Sequence, residues 1–137
     1  DNKYYISNLR LAVGSPDTRK NLLDEGRFST NGILFDVNSD KIKASSYGIL
    51  KEIASSLKEL SDMRVKIIGH TDRDGDESSN LTLSKKRAEA VKKMLVEEFG
   101  IDSKRLETDG KGETQPIDKN TSPESKANNR RVEFIKL

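Results

Sequence analysis

Gly69-His70-Thr71-Asp72-Arg73-Asp74-Gly75-Asp76, with Asn80, Leu83, Ser84, Arg87 and Ala88 following, is the stretch on which the reading of this chain turns. The β-branched run Arg64-Val65-Lys66-Ile67-Ile68-Gly69 in front of it predicts a short strand bounded by turn residues. Behind it, Leu83, Ala88, Val91, Met94, Leu95 and Phe99 recur at helical spacing, which predicts a helix from about Ser79 or Asn80 to Phe99, stopped by Gly100. An acid therefore stands just past a strand, and an arginine sits on the helix which that strand feeds.

On a wheel of about 100° per residue starting at Asn80, Ser84 falls about 40° to one side and Arg87 about 20° to the other. Val91, Met94 and Leu95 lie within roughly 60° of the same line. One face of this helix thus changes from apolar to polar as it nears the strand end, which predicts a polar cleft there. Ligands collect beyond the carboxyl ends of strands in strand–helix units, and helix N-termini favour anions. Arg87 can grip a carboxylate with two parallel donors, Asp72 can accept from an ammonium, and Asn80 can do either. The three suit the two charged ends of an amino-acid head group. Spacing alone serves a plainer reading equally well, in which Asp72 and Arg87 pair only with each other and brace the loop.

Working outward, Tyr47, Leu50, Ile53, Ala54, Leu57 and Leu60 mark an amphipathic helix from about Ser45 to Leu60. Arg27 to Val37 predicts a strand with Ile33, Leu34 and Phe35 as its buried centre, followed by a polar loop over Asp36–Lys41. Leu106–Thr108 predicts a weak strand, Gly110-Lys111-Gly112 and Pro116 a loop, Asn120–Asn128 a polar stretch with a short helical turn, and Arg131–Leu137 a closing strand. Nearer the start, Tyr5, Leu9, Leu11 and Val13 alternate as in a strand, and Thr18–Gly26 suits a short helix packing Leu22 and Leu23. The expected class is α+β: a mixed sheet in strand–helix–strand–helix–strand–strand order, with two main helices on one face and consecutive strands adjacent.

Composition narrows the function classes. The 137 residues suffice for one domain with its own core, but 35% are charged and only 5% aromatic, so that core is small and aliphatic. The 25 Lys+Arg and 23 Asp+Glu are interspersed, which gives no one-signed patch for nucleic acid. Cysteine is absent, which excludes disulfide and thiolate chemistry. No apolar run approaches the ~20 residues of a membrane helix. The chain begins Asp1-Asn2-Lys3, as expected of a processed protein or an excised piece.

The motif residues resemble the OmpA-like peptidoglycan-binding domain family. The resemblance is carried by Gly69-His70-Thr71-Asp72, Gly75, Asn80, Leu83-Ser84, Arg87-Ala88, Val91, Gly110, Gly112, Pro116 and Asn129-Arg130-Arg131-Val132, with Leu34–Ser39 similar to the family's opening strand and loop. It covers residues 27–137. Residues 1–26 lie outside it and are expected to be a strand or linker left from an upstream domain. The resemblance implies a non-catalytic module that binds peptidoglycan through the diaminopimelate of its stem peptide. By position, Asp72 and Arg87 are the chief ligand-holding residues, with Asn80, Thr71, Asp36 and Arg130 as flanking contacts. It further implies a periplasmic protein tied to the outer membrane through an anchor or domain outside this chain, with no cofactor. The acid-rich Arg73–Glu77 segment departs from the family pattern and bears on the pocket rim.

Other constellations are weaker. His70, Asp72 and Ser84 hold the ingredients of a hydrolase triad, but Ser84 falls inside a helix rather than on an exposed elbow. Asp72, Asp74 and Asp76 open like a calcium loop, yet Glu77 stands where glycine is needed and Leu83 where a bidentate Glu is needed. A single histidine makes a poor zinc site. A protein-interaction module of the cell envelope that does not bind wall is the alternative function.

Overall fold

The computed structural model describes residue 22 and residues 25–72, 75–115 and 123–137. The elements run β1 (Arg27–Thr30), α1 (Tyr47–Glu59), β2 (Val65–His70), α2 (Glu77–Glu97), β3 (Leu106–Gly112), α3 (Pro123–Asn129) and β4 (Val132–Lys136). The strand predicted over 5–13 and most of the helix predicted over 18–26 lie outside the described residues, although Leu22 is fully buried in the core. No helix among the described residues is long and apolar enough to cross a membrane.

The sheet is mixed and four-stranded, in the order β1-β4-β2-β3. β2 and β3 are parallel, while β4 runs antiparallel to both β1 and β2. The α+β class, the mixed sheet and the two main helices agree with the sequence reading. Adjacency of consecutive strands holds for β2 and β3 but not for β1 and β2 or for β3 and β4, because β4 is inserted between β1 and β2. Burial explains the insertion. Val132, Glu133 and Phe134 of β4 are all buried and need partners on both sides, whereas β1 alternates exposed and half-buried residues and suits an edge.

Val65 and Ile67 of β2, Leu106 of β3, and Val132 and Phe134 of β4 point to one face. Leu50, Ile53, Ala54 and Leu57 of α1 and Ala88, Val91 and Leu95 of α2 join them in a single apolar core, so both helices cover that face. Arg105 closes the end of α1: its Nη2 donates to the Leu57 and Leu60 carbonyls at 2.7 Å, and its Nε to Met63 O at 2.9 Å. Carbonyls at a helix end lack following helical N–H groups, and the guanidinium takes that place at Leu57, while Leu60 O also accepts from Met63 N–H at 2.8 Å.

Several boundaries differ from expectation. The strand predicted over Arg27–Val37 ends at Thr30, whose hydroxyl accepts from the Gly32 N–H at 3.0 Å and turns the chain. Only Ile33 of its expected centre is buried; Leu34 and Val37 are 47% and 86% exposed. Residues 34–43 instead fold back on themselves, with Phe35 bridging Ile42, Lys43 N–H donating to Leu34 O at 2.8 Å, and Asn38 at φ 53 in the turn. Helix α2 starts at Glu77 rather than at Ser79 or Asn80, because the Asp76 carboxylate caps it by accepting from Ser79 N–H at 2.9 Å. Strand β3 continues through Gly110-Lys111-Gly112, read as a loop, and Leu137 lies beyond β4, half exposed.

The length of β3 follows from how closely α2 lies on it. A Cβ at Gly110 would come within 2.4 Å of Ser84 Oγ and of the Lys85 amide nitrogen; one at Gly69, its partner across the sheet, would come within 2.3 Å of Ser84 O. Into that gap fits the buried Ser84 hydroxyl, which donates to Leu81 O at 2.8 Å and accepts from Gly112 N–H at 2.9 Å. Pairing and packing override the poor strand preference of glycine. Gly110→Ala, which forces helix backbone away from the sheet, is expected to cost about 3 kcal/mol or more in urea unfolding. A loss under about 1 kcal/mol would show that the helix is not pinned at this point.

Candidate functional site

Just past β2 the chain is fixed by main-chain bonds. His70 N–H donates to Arg131 O at 2.9 Å and Thr71 N–H to Gly112 O at 2.8 Å, so both neighbouring strands hold the segment that carries Asp72. The Asp72 carbonyl accepts from Thr71 Oγ1 at 3.0 Å and from Asn80 Nδ2 at 3.4 Å. Asn80 Nδ2 also donates to Glu113 Oε1 at 3.2 Å. The Asp72 side chain is nearly buried, and its carboxylate pairs with the guanidinium of Arg130, which is about half exposed.

Arg87 projects from α2, one turn beyond Ser84. Its Nε donates to Ser39 O at 2.9 Å and its Nη2 to Asp36 O at 3.4 Å, while its guanidinium carbon stands 4.8 Å from the centre of the Phe35 ring. The fold-back of residues 34–43 thus holds the arginine through two carbonyls and an aromatic face. Burial, and next the charge of Arg130, push the Arg87 pKa below its ordinary value, while Asp72 and Asp40 oppose the shift. A cation so placed gains from a bound anion.

Both side chains open into one hollow of about 530 Å³. Thr71, Asp72, Asn80, Arg87 and Arg130 all line it, together with Leu34, Phe35, Val37, Asn38, Lys43 and Leu83. Five of the six residues singled out in the sequence are thereby brought together. Asp36 is not among the lining residues and takes part through its backbone, accepting from Arg87 and from Ser39 N–H at 3.1 Å. The brace in which Asp72 and Arg87 serve only each other does not hold, since each has other partners. Phe35, the Ser39 carbonyl and Lys43 are the features that residue patterns missed; the aromatic of Leu34-Phe35-Asp36 was the one available signal.

Behind the hollow lies a buried charged network. His70 Nε2 and Glu133 Oε1 are 2.6 Å apart, Arg27 Nη2 donates to Glu133 Oε2 at 2.6 Å, and Arg131 Nη2 stands 3.9 Å from Glu133. Arg131 Nη2 also donates to Gln115 O at 2.9 Å. Burial, and next the charge of Arg131, hold His70 below its ordinary pKa despite Glu133. Burial pushes Glu133 up, but hydrogen bonds from Arg27 and His70 outweigh it, and the carboxyl lies below its ordinary value. Neither Ser84, locked between helix and sheet, nor His70, turned to Glu133, is placed as in a triad. Among the described residues, no group of three or more His, Asp or Glu side chains is arranged to hold a metal ion.

A family model described as the OmpA family matches residues 34–130. Outer membrane porin F of Pseudomonas aeruginosa is 38% identical over 101 residues, which cover 74% of this chain and 29% of that protein. The peptidoglycan-binding protein ArfA of Mycobacterium tuberculosis is 39% identical over 103 residues, covering 75% of this chain and 31% of the relative. This chain thus spans about a third or less of the length of those relatives. The crystal structure of the peptidoglycan-associated lipoprotein from Burkholderia pseudomallei superposes with a TM-score of 0.69 at 29% identity, covering 80% of this chain and 89% of that one.

The buried network sets the acid stability of the fold. Unfolded, His70 titrates at its ordinary 6.5; folded, it titrates lower. As pH falls through that window the unfolded chain takes up a proton that the folded protein refuses, so stability declines. Glu133, lowered from 4.5, adds a decline of the same sign at lower pH. His70→Gln is expected to be less stable at pH 7 but to lose less between pH 7 and pH 5 than wild type, measured by urea unfolding at both values. Parallel losses would contradict the assignment.

Proposed function

The chain belongs to the OmpA family, and from that premise we propose that it is a non-catalytic binding module which holds peptidoglycan through the amino-acid head group of diaminopimelate in its stem peptide. Asp72 takes the ammonium and Arg87 the carboxylate, with Asn80, Thr71 and Arg130 around them and Asp36 holding Arg87 from behind. In the cell this ties the envelope to the wall from the periplasmic side, in association with the outer membrane. The relative from Mycobacterium tuberculosis is itself a peptidoglycan-binding protein, which supports the reading.

One observation carries it: a nearly buried carboxylate and a partly desolvated guanidinium line the same hollow, the guanidinium held by the Ser39 and Asp36 carbonyls and the carboxylate by Arg130, with the Thr71 hydroxyl on the Asp72 main chain. Groups held in advance lose little freedom when a ligand arrives. An amino acid's ammonium and carboxylate on one carbon match such a pair. A single head group gives modest affinity, micromolar or weaker on the usual scale. Many copies along one polymer then add retention by avidity.

The test is co-sedimentation with purified, insoluble cell wall. Wild type is expected to pellet with it and to release no fragments. Asp72→Asn keeps shape and removes charge, and Arg87→Lys keeps charge and removes the paired donors. Each is expected to weaken retention by about 2 kcal/mol or more, roughly thirtyfold. Melting temperatures should stay within about 5 °C of wild type. Undiminished pelleting in both variants would refute the site, and release of soluble fragments would refute a non-catalytic role.

A further inference from the structure

The chain enters the sheet at the pole opposite the hollow. β1 runs parallel to β2, because both are antiparallel to β4. Thr30, Val132 and Gly69 form one row across these three strands, at the hollow, and Arg27, Ile135 and Lys66 form another three residues away. The two rows are about 10 Å apart at the usual rise per residue. At the far row, Lys136 N–H donates to Gly26 O and Leu137 N–H to Arg64 O, both at 2.8 Å. Asn31, Thr71, Asp72, Arg130 and Val132 line the hollow at the near end. Tension between a ligand in the hollow and the chain ahead of β1 therefore runs along the strands. Their antiparallel hydrogen bonds lie perpendicular to it, so they are sheared together rather than opened one at a time.

The contacts of Arg27, Glu133 and His70 cross this path on a diagonal. Arg27 stands opposite Ile135, yet its Nη2 reaches two residues toward the hollow to donate to Glu133 Oε2 at 2.6 Å. Glu133 stands opposite Ile68, and its Oε1 reaches two residues further toward the hollow, to His70 Nε2 at 2.6 Å. Glu133 and His70 are buried, and Asp72 follows His70 by two residues. Drawing β1 away from the hollow, or β2 toward it, lengthens both contacts, whereas the opposite displacement shortens them. We infer that this diagonal is a tension brace. It passes force from β1, where the chain enters, to β2, whose end carries the acid of the hollow, and it keeps the hollow formed while wall and outer membrane pull apart. The inference rests on the proposed wall binding and adds a mechanical role that binding at rest does not require.

Single-molecule lifetimes under constant force test the brace, and the absence of cysteine makes an introduced attachment point unique. One geometry pulls between the amino terminus and Glu77→Cys, at the exposed first residue of α2. The other pulls between the two termini, so that β1 and β4 open from the far pole row by row. The otherwise unaltered protein is expected to last more than about tenfold longer in the first geometry, where several bonds must yield together. Arg27→Gln should shorten that lifetime about fivefold, as one partly solvated ion pair allows, and shorten the second clearly less. Arg64→Gln, which breaks the exposed pair with Glu107 off this line, should change neither. On sedimented cell wall, Arg27→Gln should be retained as well as wild type. Equal lifetimes in the two geometries, or equal shortening of both by Arg27→Gln, would overturn the brace and leave wall binding standing. Wild type that fails to sediment with wall would instead remove the load, and with it the role assigned here, whatever the lifetimes.

Discussion

Where α2 crosses β2 and β3, no side chain separates helix backbone from strand backbone. Gly69 and Gly110 leave the space, and the Ser84 hydroxyl bridges it by bonding the helix at Leu81 and the sheet at Gly112. Every distance in the hollow depends on this contact. Asp72 is two residues past the end of β2, and Arg87 is nearly one turn past Ser84 on α2. Pinning the helix to the sheet at Ser84 therefore sets the acid and the base relative to each other to within a side chain's reach. The contact is close and mostly backbone, so it tolerates little adjustment.

Around that fixed point the charges are arranged in two layers. The inner layer is the buried His70, Glu133 and Arg131, with the exposed Arg27 closing it from β1, and it ties β1, β2 and β4 together around the Glu133 carboxylate. Removing one member of such a group leaves the others uncompensated, which commonly costs about 3–5 kcal/mol, so this layer belongs to folding. The outer layer, Asp72, Arg87, Arg130 and Lys43, lines the hollow. There two carbonyls of the fold-back turn Arg87, a threonine hydroxyl and an asparagine amide fix the main chain at Asp72, and Arg130 pairs with the Asp72 carboxylate. An arginine whose hydrogen bonds go to neutral carbonyls keeps its full charge for an incoming anion.

Much of this could be read from residues alone, and the part that could not has a common cause. β2 was legible as a β-branched run bounded by turn residues, and α2 because its apolar residues repeat at a period of 3.6, which together place an acid and a base at one cleft. The motif glycines were legible as punctuation, but Gly110 and Gly112 were misread as a loop, since nothing local says that a helix will lie on them. The place of β4 between β1 and β2 depends on which strand is buried on both sides, a property of the assembled sheet. Asp72 and Arg87 proved not to be a private pair because Arg130 arrives from far along the chain and the carbonyls of Asp36 and Ser39 from the other direction. The fold-back over 34–43 hid behind an apolar run, Ile33-Leu34-Phe35, that looks like strand. Its aromatic serves as a platform for a guanidinium, and Leu34 faces the hollow rather than the core.

The most direct measurement is a crystal structure of the protein soaked with diaminopimelate. The account expects the amino-bearing carbon of one end to lie in the hollow, its ammonium within hydrogen-bond distance of the Asp72 carboxylate and its carboxylate on the Arg87 guanidinium. The fold-back and α2 should be unmoved. A ligand bound elsewhere on the molecule, or an occupied hollow in which neither Asp72 nor Arg87 touches the head group, would contradict it.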